Sequence, residues 1–228
     1  MRRTIEFGLL ILCGIGFVAT CTPIQAQGVS PVIQEFNKKA RGVVQVTNVG
    51  DAPKTISCWA RGFDADEHGT LQLHPLDDTL QVRVDTPSEP VTANGSRRVS
   101  FHAVPATLPA WFVVTCEFVP IEQSDGLTMP METSSVVIVQ GDLLDSRDVT
   151  VSARRAGAKV EVEVKNNGSE LARVSSGQVL GHGSQADIGT FVLFPHQRRL
   201  VEANWNGMKP PEAVRIQIGK NHLDAPVN

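Results

Sequence analysis

Histidines and a short acidic run are the side chains of this sequence whose chemistry could hold a metal ion. The acidic run Asp64, Asp66 and Glu67 lacks the remaining ligands of a calcium loop, so it predicts a solvated turn. No two of the six histidines stand at a metal-ligand spacing such as His-x-His or His-x3-His; they are His68, His74, His102, His182, His196 and His222. We therefore expect ordinary surface histidines, no metal site and no cofactor.

Sequence motifs typical of catalytic sites are either absent from the chain or lack the neighbouring structure that they require. The run from Gly181 to Ala186 matches Gly-x-Gly-x-x-Ala, but a dinucleotide site needs a helix after it and the sequence predicts none there. The chain contains no Gly-x-Ser-x-Gly elbow, no Gly-Lys-Ser phosphate loop and no Cys-x-x-Cys pair. Cys116 lies in the middle of an apolar strand, where a thiol is inert. The sequence thus predicts a protein that is not an enzyme.

The element around which the other strands must be arranged is the stretch Ala110–Pro120. It combines aromatic and β-branched residues with almost no charge, which is typical of a strand buried on both faces. Such a strand needs a neighbour on each side, and the sequence offers Lys54 to Phe63 upstream and Thr133 to Gln140 downstream. The downstream neighbour is a short apolar strand for which the sequence supplies no cover.

The first 26 residues predict a secretory signal peptide. Arg2 and Arg3 precede an uninterrupted apolar run from Phe7 to Ala19, and the segment ends in the small residue Ala26. An alternative interpretation places a lipoprotein cleavage site before Cys21, which would then carry the lipid. No other stretch reaches the length of about 18 apolar residues that a membrane span requires, so we expect no integral span.

Cysteine usage agrees with export to an oxidising compartment. Once Cys13 and Cys21 are removed with the signal, Cys58 and Cys116 remain, and each lies in a strong strand pattern. A disulfide between them is the favoured prediction, and two buried thiols that never meet are the alternative.

Length and strand pattern together predict the fold class. The chain has 228 residues, which suits two sandwiches of about 100 residues each, and short strands alternate with turn signals throughout. We predict an all-β protein of two tandem immunoglobulin-like sandwiches, over residues 27–143 and 144–228. The net charge of −3 means that the chain has no excess of positive charge with which to attract nucleic acid.

The order and spacing of several short motifs carry a family resemblance. The motifs are Val46 to Pro53, the Trp59 strand, Asn94-Gly95, Leu108-Pro109, Phe118 to Pro120, and Gly189 to Pro195 followed by Arg198-Arg199. On these motifs the chain resembles the PapD-like periplasmic chaperones of fimbrial assembly, the chaperone-usher pathway, from residue 28 to about residue 220.

This resemblance implies a function, a set of partners and a binding strand. A chaperone of this kind works in the periplasm, lends the last strand of its first domain to a pilin-like secreted subunit that lacks a strand, and delivers that subunit to an outer-membrane usher. The lent residues here would be Val136, Val137, Ile138 and Val139. Main-chain pairing would supply affinity, and alternate side chains would fill pockets. The alternative is a structural or adhesion module of the cell envelope with the same two domains.

The resemblance also implies an anchor for the subunit's terminal carboxylate in the cleft between the domains. Family members use an Arg on the first strand and a Lys on the lent strand, and neither Val29 to Phe36 nor Thr133 to Gln140 contains a basic residue. The expected substitutes are the nearest basic residues, Lys39, Arg41 and Arg98.

Overall fold

The structure is a computed structural model that describes residues 28–85, 90–121, 130–141 and 148–228. The predicted signal peptide, Cys21 and the predicted domain boundary at residues 143 and 144 lie outside these ranges. Every named element within them is a β-strand, so the predicted all-β class is confirmed. A search of the described residues finds no helix with the length and apolarity to cross a membrane.

The first sandwich packs a sheet of four strands, in the order β1-β3-β7-β6, against a sheet of five, in the order β2-β9-β8-β4-β5. Phe101 of one sheet meets Phe112 of the other edge to face, with ring centroids 5.9 Å apart, at the centre of the core. The strands are β1 (Gly28–Ser30), β2 (Ile33–Asn37), β3 (Ala40–Thr47), β4 (Lys54–Ala65), β5 (Leu71–His74), β6 (Leu80–Asp85), β7 (Ser96–Pro105), β8 (Ala110–Pro120) and β9 (Met131–Gln140).

Strand β8 lies between β4 and β9, as its composition predicts. Residues 112 to 116 are all completely buried or nearly so, which explains the absence of charge in this stretch. Cys58 and Cys116 stand directly opposite each other on β4 and β8 and form the predicted disulfide. The bridge lies in the core, because Cys116 is inaccessible and Cys58 is only 7% exposed.

The predicted first strand is divided at Pro31 into two strands of different sheets. β1 pairs antiparallel with β3, whereas β2 crosses over and pairs parallel with β9. Proline has no N–H to donate to a ladder, so it suits the point where the chain leaves one sheet edge for another. Both halves lie at sheet edges, as Pro31 indicates.

The second sandwich packs the sheet β10-β11-β15 against a sheet in the order β13-β12-β16-β17, in which β14 also pairs with β12. Alternate side chains of β11 face the core, since Val160, Val162 and Val164 are fully buried. Its strands are β10 (Val149–Ala156), β11 (Lys159–Asn166), β12 (Ala172–Gly181), β13 (Ser184–Asp187), β14 (Phe191–Leu193), β15 (Arg198–Asn204), β16 (Ala213–Ile218) and β17 (Asn221–Pro226).

The same buried asparagine closes the equivalent turn in each sandwich. The Asn48 side chain donates to the carbonyls of Ala52 and Thr92 at 2.8 and 3.1 Å, and its oxygen accepts from the Gly50 N–H. Asn166 donates to three carbonyls of its own sandwich, including that of Glu170 at 2.7 Å, and likewise accepts from a glycine N–H two residues on. Both asparagines are completely buried. The two sandwiches therefore share a local construction as well as a fold.

Candidate functional site

The second half of β9 is paired on both sides. Val136–Gln140 pair with β2 in parallel, and most of this stretch also pairs antiparallel with β8. Val137, Ile138 and Val139 are at most 2% exposed. The prediction that Val136, Val137, Ile138 and Val139 form a bare edge is therefore wrong. The reason is the crossover at Pro31, which carries β2 to the edge that the sequence leaves uncovered.

The first half of β9 is the open part of this edge. Met131–Ser135 pair with β8 on one side, and on the other side the described residues provide no strand. The Val136 N–H points to that outer side, because it donates to the Val32 carbonyl at 2.8 Å. Backbone groups of alternate residues face the same way, so those of Glu132 and Ser134 point outward. The open edge thus presents the backbone N–H and C=O groups of these two residues to an incoming strand.

Apolar side chains lie next to both ends of the open edge. Val32 and Ile33 are 61% and 53% exposed, and the Ser135 hydroxyl donates to the neighbouring Pro31 carbonyl at 2.7 Å. At the other end Met131, itself 37% exposed, stands opposite the last residues of β8. An extended segment added to this edge would therefore find apolar contacts as well as main-chain partners.

A cleft of about 620 Å³ separates the two sandwiches beside the end of β9. The first sandwich lines it with Glu35, Ile138 and Gln140, and the second lines it with residues of β12, β14 and the β16–β17 turn. Its lining is mostly apolar with a few charged groups, as is usual for sites that bind part of another molecule. The cleft and the open edge are neighbours, because β9 runs from one to the other.

The charged groups of the cleft include an ion pair between the sandwiches. Arg173 of β12 pairs with Glu35 of β2, and the Gln140 amide donates to the same carboxylate at 2.7 Å. The basic residues of the lining, Arg173 and Lys220, both come from the second sandwich. The side of the cleft that belongs to the first sandwich is therefore acidic where the family resemblance predicts basic residues.

The predicted anchor residues lie elsewhere, so the expectation that they project into the cleft is wrong. None of Lys39, Arg41 and Arg98 lines the cleft. Arg41 is an exposed residue of β3, and Arg98 is an exposed residue of β7 opposite Gln45. Both strands belong to the sheet that does not contain β9, so their outward side chains point away from the open edge.

Aromatic contacts join the two sandwiches at a second place, which we call the junction. The Phe194 ring, after β14, lies 5.3 Å from the Phe63 ring and 5.0 Å from the Trp111 ring. The Trp111 indole N–H donates to the Phe63 carbonyl at 2.9 Å, which orients the cluster. The junction thus buries apolar surface contributed by both sandwiches.

Hydrogen bonds extend the junction along the end of β4. The Gln197 amide donates to the carbonyls of Ala65 and Asp66, each at 3.1 Å, and the Leu200 N–H donates to the Glu67 carbonyl at 2.7 Å. Gln197 is 9% exposed, so its amide has little access to water. These bonds fix the direction in which the second sandwich leaves the first.

Three charged groups at the junction have shifted pKa values. The backbone N–H groups of Thr70 and His68 donate to the Asp66 carboxylate at 2.8 and 2.9 Å and lower its pKa. The hydrogen bond to Glu67 raises the pKa of Arg198. Burial lowers the pKa of Arg199, whose guanidinium lies over the Phe191 ring at 5.2 Å.

Sequence reasoning missed the pairing of Glu35 with Arg173 and the residues of the junction. Glu35 did carry a signal, because it is the one charged residue of Val29 to Phe36, where the family resemblance implies a basic residue. The junction also carried one, since the motif that ends at Pro195 and continues with Arg198-Arg199 contributes most of the second sandwich's side of it.

Comparison with known proteins gives matches in structure alone. No family model and no curated protein matches this chain. The YadV chaperone matches it with a TM-score of 0.53 and 16% identity, over 88% of this chain and 98% of the other. The Pseudomonas aeruginosa CupB2 chaperone matches with a TM-score of 0.50 and 16% identity, over 88% and 100%.

A third match comes from a complex. One chain of the Salmonella enterica SafA pilin in complex with the SafB chaperone matches with a TM-score of 0.51 and 13% identity, over 90% of this chain and 98% of the other. At such identities the likeness establishes the fold, two immunoglobulin-like β-sandwiches in tandem, over nearly the whole described chain.

Proposed function

We propose that this protein is a PapD-like periplasmic chaperone of the chaperone-usher pathway, which binds and caps incomplete pilin-like subunits. The observation that carries this proposal is the open half of β9, Met131–Ser135, at the edge of a fold shared with solved chaperone structures. A free strand edge flanked by apolar side chains is a template for another chain's strand.

Donor-strand complementation follows from the geometry of this edge. A subunit that lacks one strand of its own sandwich would pair with the outward backbone groups of Glu132 and Ser134, and its apolar groove would cover Val32 and Ile33. Displacement of β2 from β9 would extend the lent edge to Val136–Gln140. That extended edge would include Val136, Val137, Ile138 and Val139.

The cleft offers a place for the end of the bound subunit. Arg173 and Lys220 supply positive charge in the lining, and a guanidinium binds a carboxylate with two parallel hydrogen bonds. A terminal carboxylate would compete with Glu35 for Arg173. We infer that the second sandwich, in place of Lys39, Arg41 and Arg98, provides the anchor in this protein.

The remaining parts of the proposal follow from the same pathway. The signal peptide would direct the chain to the periplasm, where the Cys58–Cys116 disulfide is stable. The lending of a strand forms and breaks no covalent bond, so the function needs neither a catalytic residue nor a cofactor. The outer-membrane usher would receive the capped subunit.

Substitution of Glu132 by proline tests the proposal directly. Proline removes the outward N–H at the open edge, whereas the hydrogen bonds of β9 to β8 come from the alternate residues. Gln185→Pro is the matched control. It removes an exposed N–H from β13, an edge strand of the second sandwich whose Ile188 N–H points inward to Gly177.

The measurement is recovery of a secreted partner with the tagged chain from periplasmic extract of the source bacterium, with identification by mass spectrometry. We expect the wild type and Gln185→Pro to retain a small β-rich subunit whose sequence lacks one strand, and Glu132→Pro to lose it. Hydrogen exchange at Glu132 and Ser134 should slow in the complex. Equal recovery with all three proteins, or a complex in which these two amides stay unprotected, would favour the structural or adhesion module.

A further inference from the structure

The sheet of the first sandwich that does not contain β9 carries a row of basic side chains on its outer face. Arg41 of β3 stands opposite His102 of β7, and His102 in turn stands opposite Arg83 of β6. All three residues are exposed. Side chains that stand opposite each other on neighbouring strands lie about 5 Å apart at their Cβ atoms, so the three form one continuous row across the sheet.

This row departs from the charge pattern of other strand pairs in the protein. Arg154 stands opposite Glu161 on β10 and β11, and Arg215 stands opposite Asp224 on β16 and β17, with an ion pair in each case. Opposite charges stabilise such cross-strand pairs, and like charges placed opposite each other destabilise them. In the row, by contrast, His102 stands between Arg41 and Arg83, and neither cross-strand pair contains an acidic side chain.

One of the two guanidiniums of the row has an acidic partner among the described residues. Arg83 donates to the Asp85 carboxylate through its Nε at 3.1 Å. Among the residues that the structure describes, Arg41 and His102 have no ion pair and no side-chain hydrogen bond. Their donors are directed toward solvent, so they are free to meet a ligand.

The row lines, together with the Asp85 carboxylate, a groove of about 590 Å³ that is open to solvent. Ser100, two residues before His102 on the same face of β7, adds a hydroxyl to this lining. Arg98 continues the positive charge on the same outer face, since it lies four residues before His102 on β7. Two of the three basic residues that the sequence suggested as an anchor, Arg41 and Arg98, thus belong to this face of the sheet.

We propose that this groove binds a phosphate group, with Arg41, Arg83 and His102 as its donors. A guanidinium donates two parallel hydrogen bonds to a phosphate, and the spacing of the row lets the two arginines approach one phosphate from both sides of the imidazole. The phosphate would place negative charge between the Arg41 and Arg83 guanidiniums, and it would compete with Asp85 for Arg83. The source is free phosphate or the headgroup of an anionic lipid.

This inference is independent of the proposed chaperone function. The groove lies on the sheet β1-β3-β7-β6, whereas the open edge and Ile138 of the cleft belong to the sheet that contains β9. A phosphate ligand would therefore leave the edge of β9 free to pair with a subunit.

The test is a titration of the ¹⁵N-labelled chain with inorganic phosphate at low ionic strength, followed by amide chemical shifts. We expect the largest shifts at Arg41, Arg83 and His102. Arg41→Gln should raise the dissociation constant by roughly fivefold, because it removes one charge-assisted donor pair at an exposed site. His102→Gln, which retains a donor, should raise it less. Arg155→Gln is the control, since it removes one charge from an exposed arginine of the second sandwich.

Vesicles distinguish the two sources of the phosphate. Sedimentation with phosphatidylglycerol vesicles but not with phosphatidylcholine vesicles, abolished in Arg41→Gln, assigns the site to a lipid headgroup. Phosphate binding without sedimentation assigns it to a free phosphate. Equal weakening by Arg41→Gln and Arg155→Gln, or the absence of shifts in the row, would overturn the proposal. Each variant should melt at the wild-type temperature, because all three side chains are exposed.

Discussion

At the scale of single residues, two buried amides have the largest structural role of any polar side chains in the described cores. Asn48 and Asn166 each satisfy several main-chain carbonyls that strands and turns leave without partners. A buried carbonyl that loses its donor retains the full cost of its desolvation. The asparagine in each sandwich is therefore required by the turn it closes, and the repeated Asn-x-Gly spacing reflects this requirement.

We predict that Asn166→Ala lowers the free energy of unfolding of the second sandwich by about 2 kcal/mol, because the carbonyls of Glu170 and Phe194 lose their donor. Denaturant unfolding followed by Trp205 fluorescence measures this loss. The neighbouring Asn167→Ala is the control, since Asn167 is exposed and should change the midpoint little. Similar effects of the two substitutions would show that burial of the amide is unimportant.

At the scale of secondary-structure elements, the function we propose depends on how much of β9 remains covered. Strand β2 is held to the first sandwich by its pairing with β9 and by Phe36, whose ring meets the Phe101 ring edge to face at 5.9 Å. Only five residues of β2 make this pairing. Such a short edge strand is the element that an incoming strand can displace at the lowest cost.

We predict that Phe36→Ala lowers the free energy needed to separate β2 from β9 by about 2 kcal/mol. Hydrogen exchange at the Val136 amide should then be roughly thirtyfold faster. That amide donates to Val32 across the β2 edge. The Val137 amide faces β8 and should keep its exchange rate, which makes it an internal control. Phe36→Leu should have a smaller effect. Equal acceleration at both amides would mean that the whole sandwich opens instead of β2 alone.

At the scale of the whole molecule, the junction sets the relative position of the sandwiches and thereby the width of the cleft. The junction is made by the rings of Phe63, Trp111 and Phe194, and across the cleft itself Arg173 pairs with Glu35. An exposed ion pair contributes little to stability on its own. The apolar junction is therefore the contact that keeps the cleft in its observed geometry.

We predict that Phe194→Ala lowers the free energy of association of the two sandwiches at the junction by about 2 kcal/mol. The sandwiches should then move relative to each other. Small-angle X-ray scattering should show a larger radius of gyration, and calorimetry should show two separate unfolding transitions. Leu223→Ala is the control, because it loosens the core of the second sandwich alone. An unchanged scattering profile in Phe194→Ala would mean that the other junction contacts suffice.

Much of the first sandwich could be predicted because its signals are local. Composition predicts the burial of Ala110–Pro120 on both faces and its neighbours on each side. The disulfide between Cys58 and Cys116 follows from the even count of cysteines that remains after the predicted signal peptide. The candidate site could be predicted only in outline. Among the described residues the open edge lies on the strand that the sequence indicates, but it comprises Met131–Ser135, and the basic groups of the cleft come from the second sandwich.

The sequence alone determined the all-β class, the two sandwiches and the strand that carries the open edge, because the alternation of side chains and the chemistry of turns depend on residues close together in the chain. Only the tertiary structure decided which half of β9 is covered and which charges meet in the cleft. A stretch of valines has the same pattern whether it is paired on one side or on two. Its cover, β2, comes from about 100 residues away in the chain.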